Sequence, residues 1–191
     1  MVLARRASLG DLPSLPPIFN HCIENTVISF RLSPIGVDFF EDILNTTCAH
    51  DLPFFVATTL ASPTEPSTDV EGILVVENVI GYAYAMPWRA SYAAYRHTIE
   101  ISIYVHPEYQ SVGAGTALMD TLMTALRTTR VRDPTANPDM VKDCDDDDGG
   151  LEKADGTGRI REVLVIMSLD IEGRDGGLGF ILGGDLKGLG T

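Results

Sequence analysis

The sequence predicts an α/β domain, on three observations. The run Thr-Ile-Glu-Ile-Ser-Ile-Tyr-Val at 98–105 places an aliphatic residue at every second position, the mark of a strand. A turn holding Gly113 and Gly115 follows almost at once. It leads directly into Leu118, Leu122, Ala125 and Leu126, an apolar stripe at helical spacing over 115–127. Further strand-like and helix-like segments are interleaved before this junction, as expected when helices cover a sheet.

In chain order, residues 2–7 read as a short first strand. A first helix follows, with Ile18, Cys22 and Ile23 on one side and Pro16 and Pro17 in its first turn, where a missing N–H costs little. Val37, Phe40, Ile43 and Leu44 line one face of a second helix. Residues 54–60 form a strand, and the Pro-containing polar stretch after it is a loop. Residues 73–76 and 79–88 read as strands on either side of a turn at Glu77-Asn78, and 90–97 as a short link. After the helix at 115–127, residues 130–160 dissolve into Pro, Asn, Asp and Gly and are expected to be a disordered acidic insertion. Residues 161–170 return as a strand apolar enough to be buried on both faces, and 171–191 form a Gly-rich tail without periodicity. The whole is expected to be one domain spanning 1–191.

Bulk chemistry narrows the function. A hydrophobic content of 45% is enough for a packed core, and no apolar run approaches the ~18 residues that span a bilayer. A net charge of −13 argues against sequence-independent nucleic-acid binding, which needs Lys and Arg on phosphates. The N-terminus lacks an apolar secretory core, and Asp11 arrives too early for a mitochondrial presequence. Cys22, Cys48 and Cys144 are odd in number and widely spaced, which fits reduced thiols in the cytoplasm. His21, His50, His97 and His106 show no ligand spacing, and an EF-hand frame ending at Gly149 would have to start on Cys144, so no metal is expected.

Two features carry chemistry. On the 98–105 strand, Ile99, Ile101, Ile103 and Val105 share one face, while Thr98, Glu100, Ser102 and Tyr104 share the other. Glu100 is then either a solvated residue on a half-exposed sheet or a base at the floor of a cleft. In the loop, Gly113 and Gly115 allow close approach of another group, and the helix that follows turns its free N–H groups and positive end towards it, a geometry that binds anions. The same glycines also suit an ordinary strand-to-helix turn. Dinucleotide and P-loop fingerprints are absent: the first would need glycine where Leu118 stands, and no Gly-Lys-Ser/Thr occurs.

Gln110-Ser-Val-Gly113-Ala-Gly115 resembles the Q/R-x-x-G-x-G/A pyrophosphate loop of the GNAT superfamily of acetyl-CoA-dependent N-acetyltransferases. The longer run Val-Ile-Gly-Tyr-Ala-Tyr-Ala-Met-Pro-Trp-Arg through Thr-Ile-Glu-Ile-Ser-Ile-Tyr-Val resembles the phosphinothricin and methionine-sulfoximine acetyltransferases in particular, and the likeness covers 2–126. It implies a GNAT fold, with a mixed, mostly antiparallel central sheet flanked by helices. It implies acetyl-CoA as cosubstrate, held by Ile103, Tyr104 and Val105 along the strand and by Gln110, Ser111, Val112, Gly113, Ala114, Gly115 and Thr116 in the loop. It implies Glu100 as catalytic base, and Phe30, Arg89 and Tyr92 around a small amino-acid-like amine. Homodimers are common in this family, so one is expected here, with no nucleic-acid or membrane partner.

The chain departs from the family pattern at its end. There is no Asn after Asn137 and no Tyr after Tyr109, where many relatives keep a tyrosine that protonates the leaving thiolate. Gly179-Phe180 and the residues after it resemble a family strand entry, but the helix between is missing, so the C-terminal part reads as atypical or truncated. Acetylation of a protein N-terminus or lysine, and a catalytically impaired acyl-CoA-binding module, are the competing functions.

Overall fold

The computed structural model of the chain describes residues 1–26, 29, 31–60, 77–132 and 157–165. Phe30, the apolar run at 73–76, the acidic run at 143–148 and the tail at 171–191 lie outside the described residues.

Five strands form the main sheet: β1 (Val2–Arg6), β2 (Phe54–Leu60), β3 (Glu77–Pro87), β4 (Thr98–Val105) and β7 (Glu162–Val165), in the order β1-β2-β3-β4-β7. All neighbours are antiparallel except β4 and β7, which run parallel. Two layers of helix cover the sheet. On one face, a 3-10 turn (Leu9–Ser14), α1 (Leu15–Asn25) and α2 (Val37–Ala49) bury Leu12, Leu15, Ile18, Phe19, Phe40 and Ile43 against Phe54, Val56, Tyr82 and Tyr84. On the other, α3 (Ala114–Thr128) sets Leu118, Leu122 and Leu126, one turn apart, on Phe55, Ala57, Ala83, Ala85, Ile99 and Ile101. Each leucine buried this fully contributes about 2 kcal/mol.

Alternation explains which strand face meets which helix. Ile99 and Ile101 sit in the α3 core, while Tyr104 packs on the α1 side. The sheet carries one bulge that matters for the site. Ala57 pairs with Gly81 but Thr58 pairs with Val79, so Ile80 is an extra residue on β3. Its carbonyl accepts the His106 N–H at 2.8 Å and so anchors the chain as it leaves β4. Gly81, opposite Val105, is glycine for lack of room: a Cβ there would sit 2.8 Å from the Tyr104 carbonyl oxygen.

Three expectations are corrected. Glu77 and Asn78 are not a turn but the first residues of β3, paired with Leu60 and Thr59. The segment at 130–160 is not irregular at its ends: β5 (Arg130–Arg132) and β6 (Thr157–Arg159) pair antiparallel, with Gly158 packed on the His97 ring. β7 is not buried on both faces; Val163 and Leu164 are half-buried and Val165 is exposed, because β7 is an edge strand among the described residues.

A charged network ties β1 to the 3-10 turn. The Asp11 carboxylate is buried and accepts both terminal nitrogens of Arg5 at 2.8 and 2.9 Å, together with the Ser8 N–H and hydroxyl at 2.8 and 2.7 Å. Arg5 also donates to Glu77 at 2.8 Å. The Arg5 hydrogen bonds, aided by those of Ser8 and opposed by burial, hold the Asp11 carboxyl below its ordinary value. Asp11→Ala is expected to cost about 1–3 kcal/mol at pH 7, the scale of a charge-assisted bond lost inside a protein. A carboxylate whose folded pKa is depressed stabilises above its unfolded pKa, near ~4, and loses that contribution as pH falls through the folded value. Urea unfolding at pH 7 and again near pH 2 should show the gap between wild type and variant shrinking in acid.

Candidate active site

The site is built on β4. The strand's face towards α1 carries Thr98, Glu100, Ser102 and Tyr104, and the register of β3 sets Met86 opposite Glu100, Tyr84 opposite Ser102 and Tyr82 opposite Tyr104. The Tyr104 end of this face is roofed by α1, with the Phe19 ring edge-on to Tyr104 at 4.9 Å. Tyr82 is fully buried, and its hydroxyl has no partner among the described residues. Burial raises the pKa of Tyr82, Tyr84 and Tyr104, so all three stay neutral at physiological pH. Ser102, opposite Tyr84, offsets part of that rise.

Towards the other end the cover thins and Glu100 is half-buried, with no hydrogen bond among the described residues. Desolvation raises its pKa, which makes it a better proton acceptor than a solvated carboxylate. Glu100 is neither fully exposed nor sealed in the core, and its strand face also carries the aromatic wall around Tyr104.

The loop lies at the opposite end of β4, five residues on from Glu100, or roughly 17 Å along the strand. Pro107–Tyr109 make one 3-10 turn, capped by His106, whose Nδ1 accepts the Glu108 N–H at 3.3 Å; Tyr109 accepts a hydrogen bond from Asn78 at 3.0 Å. His106 thus shapes the exit from the strand. Gln110, Ser111, Val112 and Gly113 are exposed, and the backbone turns through positive φ twice, at Ser111 (64°) and Gly113 (89°). Gly113 caps α3, its carbonyl taking the Ala117 N–H at 3.0 Å. The N–H groups of Ala114, Gly115 and Thr116 therefore have no acceptor among the described residues. A Cβ on Gly113 would meet nothing within 4 Å, so the space beside these donors is open. Donors of this kind, with the positive end of a fifteen-residue helix behind them, suit a diphosphate.

Ile103 and Val105 turn their side chains to α3 and Tyr104 to α1, so these three can serve a ligand only through the backbone. Among the described residues β7 pairs with Thr98, Ile99, Glu100 and Ile101, and Ser102–Val105 pair with β3 alone. Arg89 and Tyr92 belong to the β3–β4 connection, which springs from the Glu100 end of the sheet, where Trp88 donates to the Thr98 carbonyl at 3.0 Å. Both are exposed; Arg89 lies over the Trp88 ring at 5.2 Å, and Tyr92 meets Tyr95 edge-on at 6.3 Å. Phe30 lies outside the described residues. Tyr84, opposite Ser102 on this face, was not among the site residues the sequence offered; cross-strand register was the missing signal. An open hollow of about 600 Å³ lined by Arg6, Phe55, Asp120, Thr121, Thr124 and Thr128 lies on the α3 side of the sheet, away from this face.

A mostly antiparallel sheet between helices, with β4 passing through a glycine loop into α3, is the GNAT fold. Residues 42–135 match the acetyltransferase (GNAT) family model, and the chain carries a domain of that family. A phosphinothricin N-acetyltransferase of Streptomyces viridochromogenes is 30% identical over 123 residues, covering 64% of this chain and 57% of that protein. The L-amino acid N-acyltransferase MnaT of Escherichia coli is 29% identical over 123 residues, covering 64% and 62%. The crystal structure of a GNAT superfamily phosphinothricin acetyltransferase from Sinorhizobium meliloti, in complex with AcCoA, superposes with a TM-score of 0.52 at 29% identity, over 65% of this chain and 58% of that one. The chain thus spans about three-fifths of the length of the curated relatives it matches.

Proposed function

We propose that this chain is an acetyl-CoA-dependent N-acetyltransferase acting on the amine of a small amino-acid-like acceptor. One observation carries the reading: a single strand joins a half-buried carboxylate, Glu100, to a loop whose N–H donors have no acceptor among the described residues. Residues 110–116 hold the pyrophosphate through bare amides. The pantetheine arm pairs with the backbone of Ile103, Tyr104 and Val105 and delivers the thioester towards Glu100. A protonated amine cannot attack, and Glu100 takes its proton, directly or through one water. A β4 backbone N–H stabilises the oxyanion that forms as the amine adds to the thioester carbonyl. The carbon–sulfur bond then breaks and the thiolate leaves. Phe30, Arg89 and Tyr92 border the acceptor, by their resemblance to the family.

The names of the relatives support an amino-acid acceptor. Free cysteines at Cys22 and Cys48 are consistent with a cytoplasmic setting, and the homodimer rests on family resemblance. The net charge of −13 favours a second reading, acetylation of basic peptides. Thiol release from acetyl-CoA, followed with phosphinothricin, methionine sulfoximine and a lysine-rich peptide, separates them. Release with the amino acids is expected. Faster release with the peptide would favour the second reading, and acetyl-CoA binding with no release at all would leave a binding module.

A further inference from the structure

The row of the sheet that carries Glu100 is apolar on both sides. Met86 stands directly opposite Glu100 on β3, and Leu164 is its partner on β7. Residues in register on neighbouring strands share a face, and the strands lie about 4.8 Å apart, so the carboxylate stands between a thioether and an isobutyl group. The packing agrees. Val163 joins the α3 core, which leaves Leu164 on the other face with Glu100, and Met86 packs on the α1 side.

Met86, Glu100 and Leu164 are all half-buried. Together they make an apolar shelf, three strands and roughly 10 Å across, with the carboxylate at its middle. The row on one side is polar: the Thr98 hydroxyl donates to the Glu162 carboxylate at 3.2 Å. The row on the other side sets Ser102 against Tyr84. Apolar neighbours on both sides also account for the desolvation that raises the Glu100 pKa.

Resting on the acetyltransferase reading above, we propose that the acceptor's side chain lies against Met86 and Leu164, and that these two residues select amino acids with uncharged, apolar side chains. In an α-amino acid the side chain and the amine share one carbon. An amine that reaches Glu100 therefore brings its side chain onto the shelf beside it. An apolar chain displaces water from Met86 and Leu164 there. An anionic chain would give up its own hydration and face the carboxylate of Glu162 in the next row.

The test compares L-methionine, L-glutamine and L-glutamate, whose side chains are similar in length and differ in polarity. Wild-type kcat/KM is expected to fall in that order, with methionine about 10- to 100-fold above glutamate, the scale set by burying one such side chain. Met86→Gln and Leu164→Gln, made separately, should each shrink the methionine-to-glutamine ratio about fivefold or more. A ratio measured on one preparation does not depend on how much of the enzyme is folded, so lost stability cannot imitate this result. The KM for acetyl-CoA, held at the far end of β4, should stay within about threefold. The proposal is overturned if wild type prefers glutamate or does not discriminate, or if either variant keeps the wild-type ratio. In each of those cases turnover persists and the acetyltransferase reading stands. No turnover by wild type with any amino acid would remove both.

Discussion

Replacing Glu100 with glutamine is expected to lower kcat about 10²- to 10⁴-fold, the range a positioned general base contributes. Affinity for acetyl-CoA should not change, because the loop lies at the other end of β4, roughly 17 Å away. Stability gives an independent check. Burial raises the Glu100 pKa, so ionising it costs more in the folded chain than in the unfolded one. A carboxyl with a raised folded pKa therefore weakens the fold as pH climbs past the ordinary glutamate value, and glutamine removes that penalty. Tm at pH 7 should stay level or rise. The rising limb of kcat/KM against pH, set in wild type by Glu100 above the ordinary glutamate range, should vanish in the variant. Loss of activity together with a fall in Tm would make Glu100 a structural residue instead.

Gly113→Ala is expected to weaken acetyl-CoA binding about tenfold or more and to cost about 1–2 kcal/mol of stability. Gly113 sits at φ 89°, where a side chain strains the backbone. Its new Cβ would enter open space, so the cost is one of conformation and not of collision. Relaxing that strain re-aims the N–H groups of the first turn of α3, which changes the binding of an anion and not the chemistry at Glu100. The KM for acetyl-CoA should therefore rise while kcat at saturation stays within a few-fold, a split that steady-state kinetics resolves.

Much of this was legible along the chain. Thr98–Val105 and Phe54–Leu60 appear where alternation and β-branched composition put them, and α1, α2 and α3 follow their apolar stripes. Gly113 marked the loop because few residues tolerate its positive φ, while Gly115 lies in the first turn of α3. What escaped notice depends on contacts between distant segments. No local pattern says that Ile80 is an extra residue, that Tyr84 faces Ser102, or that Arg5 reaches Asp11 across a turn. Glu77 and Asn78 have turn-like chemistry, but hydrogen bonding to β2 draws them into a strand. Composition alone likewise made 130–160 one irregular stretch, although Arg130–Arg132 and Thr157–Arg159 find each other across it.

The decisive measurement is amide hydrogen exchange in the 111–116 segment during titration with acetyl-CoA. Saturable binding with slowed exchange at Ala114, Gly115 and Thr116 is the expected result, since those donors would then bond phosphate oxygens. Binding that leaves these amides exchanging at their free rate, or no binding at all, would contradict the placement of the diphosphate and the mechanism built on it.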